Sequence, residues 1–174
     1  MQEKRTFHNK GEIILERVRR ELLNEDSVAL GKGLPQRLRD NLSEVTGVQT
    51  LLQSGRMPAS IGALVVEADE VSPGGDVVIP GYERLEPLNG TRLIVATLHN
   101  HSNGDPKLVS RCNSPVTCKN CVEKVITELG VIEITEAGLV LTEVSPEVST
   151  DEVKVRTGAS LHIADDIRIM ELWD

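Results

Sequence analysis

Ser27-Val28-Ala29-Leu30-Gly31-Lys32-Gly33-Leu34-Pro35 carries the reading of the fold. Ser27–Leu30 reads as a short buried strand, and the glycines after it permit a tight strand-to-helix turn. Pro35 suits the first turn of a helix, where its missing N–H has no partner to lose. Leu38 and Leu42 continue that helix on one face. Upstream, residues 11–23 set Ile14, Val18 and Leu22 at i, i+4 and i+8, which predicts an amphipathic helix with one apolar stripe. Downstream, residues 48–53, 63–67 and 91–98 predict further strands. Their apolar runs are continuous, as in a parallel sheet covered on both faces.

In the C-terminal half, residues 121–129 read as a helix with Val122, Val125 and Ile126 apolar. Residues 131–135 and 139–144 flank Glu136-Ala137-Gly138, a short connection that predicts a hairpin. Ser149-Thr150-Asp151-Glu152 has the Ser-x-x-Glu form of a capping box, opening a helix that ends near Gly158. There is no internal repeat and no low-complexity segment. The expectation is an N-terminal tail, residues 1–10, then one α/β domain, residues 11–174. Its sheet is open and mostly parallel, with helices on both faces and a C-terminal hairpin.

The 174 residues carry a net charge of −8, which argues against a nucleic-acid or membrane-surface binder, since both need concentrated positive charge. Arg17-Val18-Arg19-Arg20 is short and interleaved with acids, a solvated helix face. Phe7, Tyr82 and Trp173 are the only aromatics, so the core is Leu, Val and Ile, and base-stacking platforms are lacking. No apolar run approaches the ~20 residues that span a bilayer. Residues 1–10 are polar and lack a signal-like apolar segment, so a cytoplasmic location is expected. An odd number of cysteines, three, argues against a secreted disulfide framework.

Several stretches together resemble the beta (B) subunit of the family I 3-oxoacid CoA-transferases. Gly31-Lys32-Gly33-Leu34-Pro35 matches its Gly-x-Gly-x-Pro turn. Residues 92–99, the polar loop 101–107, Cys112-Asn113-Ser114-Pro115-Val116-Thr117, the hairpin, Val148 to Val153 and Thr157-Gly158-Ala159 follow in family order. Ile61-Gly62-Ala63-Leu64, Gly75-Asp76 and Ile79-Pro80-Gly81 also echo it, so the resemblance covers most of residues 12–170.

The resemblance implies nucleophilic catalysis with coenzyme A as a substrate and no cofactor. A glutamate attacks an acyl-CoA, and the resulting enzyme–CoA thioester passes CoA to a 3-oxoacid or other short carboxylic acid. It also implies pairing with an alpha subunit, with the active site between the two, and a substrate- or CoA-binding group of Gly31, Gly33, Ser54, Pro80, Gly81 and His99. Three departures stand out. Where the family strand ends Gln-Ser-Glu-Asn-Gly, this one ends Gln53-Ser54-Gly55-Arg56, and Gly55 has no side chain to acylate. The stretch from Gly55 to Ile61 is much shorter than the pattern, and residues 82–89 replace a Lys-Gly-Met-Gly-Gly loop. No catalytic residue is therefore assigned. Glu44, Glu67, Asp69 and Glu70 are the carboxylates available to stand in, and each also reads as a solvated acid.

Other readings stay open beside this one. The chain can be a non-catalytic homologue that binds an alpha subunit. Gly31-Lys32-Gly33 can hold a CoA phosphate through backbone N–H groups and Lys32, or be a purely structural turn. Cys118-Lys119-Asn120-Cys121, with Cys112, His99 and His101 near in sequence, can bind zinc or be redox-active. A single Cys-x-x-Cys lacks the second pair that marks a zinc site, so no metal ligand is assigned.

Overall fold

The expected amphipathic helix is α1 (Lys10–Glu21), and it starts just inside the expected tail because Asn9 caps it, its side chain accepting the Glu12 N–H at 3.0 Å. Ile14, Val18 and Leu22 are fully buried along its stripe. The computed structural model describes residues 9–42, 47–56, 60–85 and 89–172.

Within those residues the strands are β1 (Ser27–Leu30), β2 (Gly47–Thr50), β3 (Ala63–Val66), β4 (Glu70–Val71), β5 (Val77–Val78), β6 (Arg92–Ala96), β7 (Val122–Ile126), β8 (Gly130–Thr135), β9 (Gly138–Val144) and β10 (Leu161–Ile169). Eight of them form one sheet in the order β10-β9-β8-β7-β6-β3-β1-β2. From β2 through β1, β3 and β6 to β7 every pairing is parallel. The β8–β9 hairpin is antiparallel, and β10 returns parallel to β9. The small pair β4–β5 stands apart.

Alternate residues of the parallel strands serve opposite faces. Val28, Leu30, Ala63, Val65, Ile94 and Ala96 pack beneath α1 and the segment Leu34–Asn41. Ala29, Leu64, Val66, Leu93 and Val95 pack on the other face against Val71, Val77, Tyr82, Leu108 and Val153. This two-sided burial is the reason these strands read as unbroken apolar runs. Helical segments lie on both faces, unequally. Among the described residues the second face has only the short α2 (Thr150–Val155) and is otherwise roofed by β4–β5 and loops. Ser149 caps α2 as expected, accepting the Glu152 N–H at 3.1 Å.

Two local expectations are corrected. Leu34–Asn41 is a 3₁₀ helix rather than an α-helix, a tighter winding that still buries Pro35 and Leu38. Residues 121–129 are not a helix. Val122–Ile126 is strand β7, between β6 and β8. A register shift opposite Leu93 and Ile94 leaves Glu123 as an extra residue, so Val122 and Val125 share one core face while Ile126 faces the other. Bulged strands thus imitate a helical i, i+3, i+4 spacing, and the β-branched content was the better guide.

An ion-pair network ties α1 to the sheet. Arg17 donates twice to Glu143, at 2.8 and 2.9 Å. Glu21 accepts from Arg17 and Lys124 at 2.9 Å and from Arg92 at 2.6 Å. Burial works to raise the Glu21 pKa, but Lys124, Arg92 and Arg17 together hold it down at about 2.

Candidate functional site

Because β1, β2, β3, β6 and β7 run parallel, their carboxyl ends meet one edge of the sheet. The loops beginning at Gly31, Leu51, Glu67, Thr97 and Thr127 therefore gather there. Open α/β sheets bind ligands at this edge.

One part of the edge is organised by Tyr82. Its hydroxyl donates to the Leu51 carbonyl oxygen at 3.4 Å, and Lys32 Nζ lies 5.6 Å from its ring centroid. Burial raises the Tyr82 phenol pKa, opposed by a hydrogen bond from the Lys32 backbone. Gly81, at φ +82°, lies against Lys32, and Gly33, at φ +83°, has the Glu67 carboxylate where a side chain would point. Thr117 fixes this loop, accepting the Ile79 N–H at 2.9 Å and donating to the Tyr82 carbonyl at 3.2 Å.

Gly55 sits in the same part. It is buried, has φ +78°, and a Cβ there would overlap the Arg84 carbonyl. The backbone thus excludes any side chain at the position where the family pattern has glutamate. Five of the expected residues, Gly31, Gly33, Ser54, Pro80 and Gly81, lie in loops that these contacts link. Ser54, Pro80, Gly81 and Gly33 are exposed, and Gly31 is buried.

His99 lies apart from them, 1% exposed. Its Nδ1 is 3.0 Å from Thr127 Oγ1 and its Nε2 is 2.9 Å from Thr157 Oγ1. Thr157 Oγ1 gives its proton to the Val153 carbonyl, so it accepts from Nε2–H. Thr127 Oγ1 accepts the Leu129 N–H and donates to Nδ1. The network assigns a neutral Nε2–H imidazole with both nitrogens satisfied. Burial, then the Arg156 charge, lower its pKa to about 4. Its side chain braces the sheet edge and leaves no nitrogen for a ligand.

Sequence reasoning passed over Lys107. Its Nζ donates to Thr97 Oγ1 at 2.7 Å, at the end of β6. Burial lowers the ammonium pKa, and Glu67, Asp69 and Glu128 hold it up. The signal was one lysine in the polar loop 101–107, recognisable only once the fold brings three acids around it. Glu44 lies outside the described residues. Beside this group a cavity of about 410 Å³ opens, lined by Lys10, Leu98, Asn100, His101, Glu128 and Arg156 among others. Arg156 spans it, donating to Asn100 Oδ1 at 3.0 Å and standing 3.8 Å from Glu128. Volumes of this order accommodate small ligands, and its cations suit an anionic one.

Among the described residues no three His, Cys, Asp or Glu side chains are grouped to hold a metal ion, and no helix is long and apolar enough to cross a membrane.

Fold and strand-end edge define an open, mostly parallel α/β chain with its candidate ligand edge at the strands' carboxyl ends. The acyl-CoA transferase YdiF of E. coli O157:H7, solved as a thioester complex with CoA, superposes with a TM-score of 0.71 at 13% identity, covering 98% of this chain and 44% of that one. The decarboxylase AibA/AibB superposes at 0.66 and 14% identity, covering 94% and 89%. In sequence, the acetate CoA-transferase subunit beta of Haemophilus influenzae is 30% identical over 130 residues, 70% of this chain and 57% of that protein. The chain is therefore CoA-transferase beta-subunit-like, and it spans little more than half the length of that relative. No protein-family model matches it.

Proposed function

We propose that this chain is the beta-type half of a CoA-transferase assembly. Paired with an alpha-type chain, it closes the strand-end edge around an acyl-CoA and a short carboxylic acid, a 3-oxoacid among them. The observation that carries the reading is the linkage of the 31–33, 51–56 and 80–85 loops through Tyr82 and Gly55 at the carboxyl ends of parallel strands. The relatives' names supply the reaction class, CoA transfer, and the family resemblance adds that CoA moves between two carboxylates. The substrate groups are Gly31, Gly33, Ser54, Pro80 and Gly81, with Lys107 and Arg156 supplying positive charge. Gly55 takes no covalent part. Cysteines that are free and half-buried suit a cytoplasmic location.

One observation favours a variant with a relocated nucleophile. The Glu67 carboxylate lies against Gly33 at the end of β3. In that variant it attacks the thioester carbonyl and expels CoA thiolate, and the thiolate then attacks the mixed anhydride and expels the acyl group as carboxylate. The test of the pairing is size-exclusion chromatography with a CoA-transferase alpha subunit, followed by CoA titration calorimetry. A stable complex that binds CoA supports the assembly. Absence of any complex at micromolar concentration refutes it.

A further inference from the structure

The Cys118-Lys119-Asn120-Cys121 turn is held at both ends by the same stretch of backbone. The Val77 N–H donates to the Cys118 carbonyl at 3.0 Å, and the Cys121 N–H donates to the Gly75 carbonyl at 3.1 Å. Between them Asn120 takes a left-handed φ of +51°, a conformation asparagine tolerates better than most residues, and its N–H donates to Asp76 Oδ1 at 2.9 Å. This closed turn sets the two cysteines at the ends of one four-residue loop, with Cys118 bridged to Val77 and Cys121 Sγ 3.8 Å from the Gly75 carbonyl oxygen. Both are half-buried, while Lys119 and Asn120 between them are exposed. A reagent therefore has access from the turn side.

The structure assigns Cys118 and Cys121 as a reversible dithiol–disulfide couple that exchanges with a low-molecular-weight disulfide, Cys118 attacking and Cys121 resolving. In the first step Cys118 thiolate attacks one sulfur of R–S–S–R. A protein–S–S–R bond forms, and RS⁻ leaves and takes a proton. Cys121 then loses its proton and attacks the Cys118 sulfur, forming the internal S–S bond and releasing the second RS⁻. The protein dithiol loses two electrons and the small disulfide gains them.

The surroundings sort the roles. The neighbouring Cys121 thiol, against burial and Asp76, lowers the Cys118 pKa, while Cys118 and burial raise that of Cys121, whose Sγ also faces the Gly75 carbonyl oxygen. Cys112 is set apart: burial, then Glu70 and Asp76, push its thiol up to about 11, and its Sγ lies 3.9 Å from the Asp76 carbonyl oxygen. Thiols kept protonated this way are poor nucleophiles. The couple also adjoins the candidate cleft in sequence, because Thr117, the residue before Cys118, is the one that fixes the Tyr82 loop. None of this depends on the CoA reading.

The test is equilibration of the full chain in glutathione buffers of stepped reduced-to-oxidised ratio, followed by acid quench, alkylation and peptide mass mapping. The reduced chain should take an alkyl group on each of its three cysteines. The oxidised chain should lose two of those sites and keep Cys112. Cys121→Ser should trap a glutathione adduct on Cys118, and Cys112→Ser should leave the couple unchanged. Full alkylation in every buffer overturns the assignment, as does a linkage through Cys112. The unsubstituted chain gives the deciding result, so a variant that folds poorly leaves the test intact.

Discussion

Replacing Gly55 by alanine tests the part of the structure on which the functional reading turns. At φ +78° an L-residue carries a backbone penalty of roughly 1–2 kcal/mol. Its Cβ would also overlap the Arg84 carbonyl, with Arg84 C at 2.9 Å and Leu85 Cα at 3.3 Å. Backbone does not rotate aside as a side chain does, so the loop must lift. Lifting it draws on Leu85, 6% exposed, and on Tyr82, whose hydroxyl reaches Leu51. Strain and lost packing together cost about 3 kcal/mol. For a chain of this size that is a fall in Tm of roughly 6–12 °C. Urea unfolding followed by circular dichroism reads the loss as a lower midpoint at unchanged slope. A midpoint equal to that of the unsubstituted chain would refute the reasoning, since the position would then have room for a side chain. Gly55→Glu should cost at least as much and should not create a working nucleophile.

Three further outcomes follow from the charges. His99 titrates near 4 in the fold against 6.5 when free, so between those values the unfolded chain binds the extra proton. Stability should fall by about 3 kcal/mol as pH drops from 6.5 towards 4, and His99→Gln should remove that slope in pH-dependent urea titrations. Glu21, held at about 2 against 4.5, contributes stability that is fully present above pH 4.5 and lost towards pH 2. Glu21→Gln should therefore cost about 3 kcal/mol at pH 7, a difference that shrinks in acid. Lys107→Met should weaken binding of a short carboxylate or CoA by roughly tenfold or more in calorimetry with the paired assembly, while the urea midpoint moves little. Unchanged binding would remove Lys107 from the site.

Much of the fold was legible because its chemistry is local and repeated. Ser27–Leu30 with its glycine turn, the Ile14-Val18-Leu22 stripe and the 136–138 hairpin turn each announce their conformation within a few residues. Strand β7 was not legible, because its bulge is set by pairing with Leu93 and Ile94 far away in sequence. Strand β10 was not anticipated either: Leu161–Ile169 is an edge strand with Asp165, Asp166 and Arg168 exposed, so it lacks the apolar run that marked the others.

The site was read in a similar proportion. The missing carboxylate at Gly55 and the glycines at 31, 33 and 81 were visible as residues. What fills the space at Gly55 was not, since Arg84 reaches it through tertiary packing. His99 looked like a cleft residue from its place at a strand end. Only the threonines at 127 and 157 disclose that both its nitrogens are occupied. Lys107 needed the converse information, the gathering of Glu67 and Asp69 from the segment after β3 with Glu128 from the segment after β7.

The most direct test of the central claim is the intact mass of this chain, mixed with an alpha-type subunit and acetoacetyl-CoA, after borohydride or hydroxylamine trapping. The account predicts a complex with no modification on residues 51–56, and any adduct confined to Glu67. A covalent adduct mapping to the loop around Gly55 would contradict it.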